Sequence, residues 1–239
     1  MTGERRLELW SIVSGLAAGS PVAIEHLGIA VLAATCADAV AVAVTVAAAP
    51  REAIYLSDRM AEAMEDLALT LGEGPGAEAL TGGPSLAADL TSVDSRRRWP
   101  TYAPAAAAEG VHAAFAFPLR IGAIRLGVMD VYRATPGALD GNALADALIL
   151  ADLACAILLD TVHAGRDGLP PLIAPLHHPE IHQATGMVAV QLGASAAVAL
   201  LRLRAHAYSA GRELREVSGD VVARRLRFSS DAGGEAGPR

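Results

Sequence analysis

The 239-residue sequence contains no lysine, so all 19 of its basic residues are arginine. Arginine alone is therefore weak evidence of an anionic partner, and only its distribution along the chain is informative. Aromatic residues are scarce at 4%, although 53% of the residues are hydrophobic and the mean hydropathy is +0.37. The apolar content is mostly Ala, Val and Leu, which suits close contacts between helices. Two cysteines, Cys36 and Cys155, stand far apart in apolar runs with no C-x-x-C. They read as small buried hydrophobes rather than redox or metal groups. The seven histidines lack zinc-ligand spacing. His177 and His178 are adjacent, but neighbours in an extended segment point apart and no third ligand follows. No metal, no cofactor and no catalytic residue is implied. The opening MTGERRLELW is charged and no short apolar segment with a small-residue cleavage site follows it, so no signal peptide is expected.

One run approaches membrane-spanning length: Leu27 to Ala49, 23 residues with Asp38 as the sole charge. Its character changes midway. Leu27–Cys36 reads as helix and Val40–Val46 alternates as strand, so a helix, a turn at Ala37-Asp38 and a buried strand are expected, in a cytoplasmic protein without a membrane segment. Charge divides the chain more sharply. Residues 1–179 carry 11 Arg against 20 acids, whereas residues 180–228 carry seven Arg against four acids. An acidic body with a basic end is the asymmetry expected of a module that faces a polyanion.

The spacing of apolar residues predicts a helix over Arg5–Ala17, with Leu9, Ile12, Val13 and Leu16 at helical spacing. Ser20-Pro21 is expected to cap and open a second helix to about Cys36. Strands are predicted around Ala39–Ala47 and Ala53–Leu56, joined through Pro50-Arg51 as a hairpin. Arg59–Leu71 carries a helical stripe of Met60, Met64, Leu67 and Leu71. Gly72–Pro84 reads as a long, loosely held loop, and Arg96–Gly110 as one further helix. Val111–Arg120 and Ile124–Tyr132 form a second hairpin about Gly122-Ala123, and Leu139–Thr161 a long helix. This order implies an α+β fold, an antiparallel sheet flanked by helices over residues 1–162.

Residues 163–179 hold Pro170, Pro171, Pro175 and Pro179 with Gly165 and Gly168, a partly stiff linker. Three helices are then predicted within residues 180–228. Ile181–Leu192 ends at Gly193 and turns Ile181, Ala184, Val188 and Leu192 inward. Ser195 caps Ala196–Ala210, whose Val198, Leu201, Ala205 and Tyr208 are expected to face the core. Glu213–Arg227 places Leu214, Val217, Val221 and Leu226 on one face. The Gly-rich polar tail, residues 229–239, reads as disordered.

This module resembles the ANTAR domain of bacterial antitermination regulators. The resemblance rests on Ala184 and Gly186 of the first helix, the Leu201-Arg202 pair, Ala205, Tyr208 and the run Leu214–Val217. The family commonly has lysine where this sequence has Thr185, so a phosphate contact by that lysine does not carry over. Ser218 stands where a small apolar residue is usual. Residues 5–161 resemble a GAF domain by element order, the GEGPG loop and the PLRIGAIRLGVMDVY hairpin. Together the halves resemble the GAF–ANTAR proteins of actinobacteria. The resemblance implies a sensor, taking a small molecule or a protein as input, that controls binding of paired RNA stem-loops in nascent transcripts and so prevents a terminator from forming.

RNA binding calls for cations on phosphates and planar or polar groups on exposed bases. The candidates are Gln183, Thr185, Arg202, Arg204, His206, Arg212, Arg215, Arg224 and Arg225, with Arg227 beside them. Each arginine taken singly also fits ordinary solvation. A GAF-like pocket is expected from Tyr55, Trp99, Tyr102, Phe115, Phe117 and Met129, which are also simply the largest hydrophobes available. Without lysine, the asparagine-lysine motif of cyclic-nucleotide GAF domains is absent, and no bilin-attachment cysteine is evident. Arg96-Arg97-Arg98 fits a solvated turn. Two other functions compete: a DNA-binding helix-turn-helix regulator, and a GAF-fold reductase of free methionine sulfoxide, for which Cys36 and Cys155 are not a clustered pair. A homodimer is expected through the first helix and Leu139–Thr161.

Overall fold

The computed structural model describes residues 2–45, 51–166 and 177–229. They form two compact bodies, one ending at His177 and the other beginning at His178. The first is α+β. Its elements run α1 (Thr2–Leu16), α2 (Ile24–Thr35), β1 (Ala39–Val44), β2 (Glu52–Leu56), α3 (Arg59–Leu71), α4 (Pro75–Ala79), β3 (Ser85–Ala87), α5 (Val93–Arg98), α6 (Tyr102–Ala108), β4 (Ala113–Ile121), β5 (Ile124–Arg133) and α7 (Gly141–Arg166). The five strands are antiparallel in the order β2-β1-β5-β4-β3.

The alternation in β1 decides the layers, because successive side chains of a strand point to opposite faces. Val40 and Val42 join Phe115, Phe117, Met129 and Val131 beneath α1, α2 and α7. Ala39 and Ala41 face the other way, towards α3, Trp99, Tyr102 and Tyr132. β1 and β5 lie so close that a Cβ on Gly127 would fall 2.0 Å from the carbonyl oxygen of Ala43. Glycine is what permits that pairing. Arg5 fastens α1 to α7 through Asp146, with Nε donating at 2.8 Å.

Several boundaries differ from expectation. Helix α2 starts at Ile24 rather than Pro21, its entry fixed by the Ala23 N–H donating to His26 Nδ1 at 3.0 Å. It ends in a left-handed Cys36, which is exposed and not the buried hydrophobe expected; Cys155 is buried. The long helix expected over Arg96–Gly110 is two short ones, α5 and α6, parted around Pro100. Residues 72–84 are not a loose loop. They hold α4, and Glu73 accepts from the N–H groups of Thr101 and Tyr102, each at 2.6 Å, so its carboxylate caps α6. The apolar run from Leu27 is broken as expected into α2 and β1. The stretch Gly141–Thr161 of α7 is long and apolar enough to cross a bilayer by length and composition. Here its Ala147, Leu150, Ala154 and Ile157 are buried against the sheet.

Helix α7 continues to Arg166, through residues 163–166 that were expected in the linker. Residues 167–176, the centre of that linker, lie outside the described residues, as do 46–50 and the tail from 230.

The second body is three helices, α8 (Pro179–Leu192), α9 (Ala196–Ala210) and α10 (Leu214–Val222). Gly193 and Gly211, at φ 60° and 61°, end α8 and α9 in the left-handed conformation that glycine adopts without strain. Ser195 caps α9, its Oγ accepting from Val198 N–H at 3.4 Å. The core is Ile181, Ala184 and Val188 of α8 with Leu214, Val217 and Val221 of α10. From α9 it takes Ala199, Leu200, Leu203 and Ala207, not the expected stripe. Helix α10 stops at Val222, five residues short of expectation, where Arg224 turns the chain at φ 60°.

Ser218 is wholly buried, and its hydroxyl has no hydrogen-bond partner among the described residues. An unsatisfied buried hydroxyl costs on the order of 1 kcal/mol or more. Ser218→Ala is therefore expected to stabilise this body by about 1 kcal/mol, read from hydrogen exchange of the α10 amides; a loss of protection would contradict the assignment.

Candidate functional site

The basic candidates of the second body divide by what their neighbours do. On α8, Gln183 is exposed, whereas Thr185 is buried and its hydroxyl donates to Ile181 O at 2.7 Å. Thr185 is thus a core residue and leaves the set of base contacts. Asp220 gathers two arginines, Arg212 at 2.9 Å and Arg225 at 2.7 Å, and Arg212 also lies 3.5 Å from Glu216. The Arg225 and Arg212 hydrogen bonds hold the Asp220 carboxyl below its ordinary value. Arg215 pairs with Glu213 at 2.5 Å. Half-buried His206 stacks edge-on against Phe228 with ring centroids 5.5 Å apart, and Arg204 is half-buried too. Arg202, Arg224 and Arg227 are exposed and in no ion pair with another described residue.

Helix α9 shows an unexpected outer face. Val198, Leu201 and Tyr208 are 45%, 64% and 61% exposed. They were expected in the core, but the adjacent stripe of Ala199, Leu200, Leu203 and Ala207 packs there instead. Arg202 follows Val198 by four residues and so borders this outer face. The result is an apolar and aromatic surface beside an unneutralised guanidinium.

The first body holds a site that the sequence reading missed. Arg51, Glu65 and Asp130 meet on the alanine-lined face of the sheet, and all three are buried. Arg51 donates from Nε to Glu65 at 2.8 Å and makes a second, close contact to the same carboxylate through its other nitrogen. Its remaining nitrogen faces Asp130 Oδ2 at 3.2 Å. Small neighbours make room: Asp130 is paired with Ala41 on one side and Ala116 on the other. A Cβ on Gly76 would strike both Arg51 and Asp130, so α4 lies directly on the pair. Burial alone would lower the Arg51 guanidinium, yet Glu65 and then Asp130 outweigh it and hold it well above its ordinary range. The forked contact spends Arg51 chiefly on Glu65. Burial therefore pushes Asp130 up to about 6 despite Arg51. The same burial raises Tyr102 and Tyr132. An isolated aspartate within the apolar strand Val128-Met129-Asp130-Val131-Tyr132 was the available signal.

The six expected pocket residues do not share one pocket. Phe115, Phe117 and Met129 lie on the α2–α7 face, with Tyr55 packed beside them. Trp99 and Tyr102 lie on the opposite face. Tyr55 seals against α2, where a Cβ on Gly28 would meet its ring at 2.1 Å. Arg98 stacks on Trp99 at 4.3 Å and binds Glu78 at 2.9 Å, while Arg96 and Arg97 are exposed. Phe117 borders a cavity of about 440 Å3 between the β4–β5 turn and α7. The Cys155 thiol is pushed up by burial, which disfavours thiolate chemistry.

No protein-family model and no curated protein matches the chain. Solved structures do. A domain of a two-component sensor histidine kinase protein from Sinorhizobium meliloti is similar at 16% identity and TM-score 0.49, over 60% of this chain and 94% of that one. The GAF domain of a phosphoenolpyruvate-protein phosphotransferase from Coxiella burnetii is similar at 14% identity and TM-score 0.49, over 68% and 98%. A GAF domain from Synechocystis in its photoproduct state is similar at 16% and 0.48, over 61% and 97%. At these identities the likenesses assign neither ligand nor activity to this chain.

The buried cluster has a pH signature. Asp130 binds its proton more tightly folded, at about 6, than at the ordinary 3.8 of an unfolded chain. Its contribution therefore favours the fold as pH falls through 6 and is lost as pH rises above it. The first body is expected to gain about 1 kcal/mol between about pH 7 and pH 5, measured by chemical denaturation. Asp130→Asn should flatten that gain; an unchanged profile in the variant would refute the assignment.

Proposed function

We propose that this chain is a cytoplasmic, non-enzymatic regulator whose C-terminal three-helix body binds structured RNA of nascent transcripts, in the manner of an ANTAR module. Its α+β body acts as a GAF-like sensor and tunes that binding, so that transcription reads through a terminator. The observation that carries the reading is the outer face of α9. Exposed Tyr208 and unpaired Arg202 offer a ring for a splayed base and a cation for its phosphate on one short helix. Bases stack on aromatic rings regardless of their identity, while the guanidinium supplies charge.

The distribution of acids supports this reading. Asp220 and Glu213 neutralise arginines around α10, so the uncompensated positive charge is concentrated at Arg202, Arg224 and Arg227. The raised Cys155 and the distant, exposed Cys36 argue for regulation rather than thiol catalysis. A homodimer would use α1 and α7, which leave Leu7 at 70% exposure with Ile12, Leu148 and Leu159 also uncovered. Tandem stem-loops would then meet two modules.

Both α9 groups are on the surface, so their replacement spares the core. Tyr208→Ala and Arg202→Ala are each expected to weaken binding of a tandem-hairpin RNA about tenfold, and Arg202→Ala also to shallow its salt dependence by about one contact. Filter binding or fluorescence anisotropy across a salt series reads both. If the unaltered protein prefers duplex DNA, or shows no preference for hairpin RNA over duplex DNA at moderate salt, the proposal fails.

A further inference from the structure

Past Val222 the chain does not run on as helix but folds back. Arg225 and Leu226 donate their N–H groups to the Asp220 carbonyl at 2.8 and 3.1 Å. Phe228 is then pinned twice, its N–H donating to Gln191 Oε1 at 2.8 Å and its ring meeting His206. This return places Arg224 and Arg227 across the outer side of α8. Between them lies a groove of about 560 Å3, lined among the described residues by Gly186, Met187, Val190, Gln191, Arg224 and Arg227. That volume is within the roughly 300–1,000 Å3 usual for small-ligand sites.

The lining is apolar along α8 and cationic along the returning chain. Val190 is 84% exposed, so its side chain is open to a bound group. Gly186 contributes no side chain, and a Cβ there would meet nothing within 4 Å. Neither arginine is in an ion pair, and no acid lines the groove among the described residues. A two-fold contact with a second copy would bring four uncompensated guanidinia together. The two cations and the apolar lining instead select an anion with an apolar part.

We propose that this groove takes one unpaired base of the bound RNA. Its ring rests on Met187 and Val190 against the open backbone at Gly186, and its flanking phosphates lie on Arg224 and Arg227. The inference rests on the RNA reading above and adds to it a second contact surface, on α8 rather than α9. It also explains the turn at Arg224. A helix continued to residue 227 would lose the return that sets both arginines over α8.

Gly186→Leu tests it directly, because leucine fills the groove while favouring the helix that carries it. Val190→Gln is the companion, a surface change that puts an uncharged polar group where the base ring would rest. The full chain is titrated with a hairpin RNA and with the same hairpin made abasic in its loop, while sedimentation reports oligomeric state. Both variants are expected to bind the intact hairpin about tenfold more weakly than the unaltered protein, and the abasic hairpin no more weakly. Arg224→Ala with Arg227→Ala should shallow the salt slope by about one and a half. Unaltered hairpin binding by both groove variants overturns the groove assignment and leaves the α9 reading standing. A changed oligomeric state with unchanged RNA affinity makes the groove an interface between copies and also overturns it. Failure of the unaltered protein to bind hairpin RNA removes both readings.

Discussion

A single buried guanidinium, that of Arg51, serves two carboxylates drawn from different elements. Glu65 comes from α3 and Asp130 from the central strand β5, and α4 closes over them at Gly76. Removing Arg51 would leave two buried carboxylates without compensation, which is far costlier than never having built the cluster. The positions of α3, α4 and β5 on this face are thereby coupled. The alanines of β1 and β4 are the other half of the constraint, because larger side chains at Ala41 or Ala116 would occupy the space that Asp130 needs. The opposite face, filled by valine, phenylalanine and methionine, packs as an ordinary apolar layer.

Much of the fold was legible from local signals. The β4–β5 hairpin, the Gly193 and Gly211 helix ends and the Ser195 cap depend on residues within a few positions of each other, and each was read correctly. The strand alternation in β1 was read as well, though not which layer each side would face. The α9 face was read wrongly for a definable reason. In a helix so rich in alanine and leucine, Val198-Leu201-Ala205-Tyr208 and Ala199-Leu200-Leu203-Ala207 have equal claims to the core, and only packing against α8 and α10 chooses. A large aromatic residue argued for the inside, yet small alanines allow the closer helix approach.

The candidate sites were legible in composition more than in geometry. Arginine enrichment after residue 180 was visible, but which arginines are neutralised depends on Asp220 meeting partners on both sides of it in sequence. The expected aromatic pocket failed because β4 sends its aromatics to one face while Trp99 and Tyr102 arrive on the other from the α5–α6 region. The Arg51 cluster escaped notice because its members are 14 and 79 positions from Arg51 and no local pattern links them. Thr185, polar in sequence, satisfies its hydroxyl on its own helix and so is at home in the core.

The outer face of α9 bears on how this protein behaves in solution at high concentration. An uncovered aliphatic and aromatic stripe is a colloidal liability, since two copies that met along it would bury it. Arg202 stands at its edge, so approaching copies bring like charges together before their apolar surfaces touch. The side chain that would recruit a polyanion would thus also act as a gatekeeper against self-association. Neutralising it without covering the stripe, by salt or by a small counterion, would remove the guard and leave the sticky surface bare.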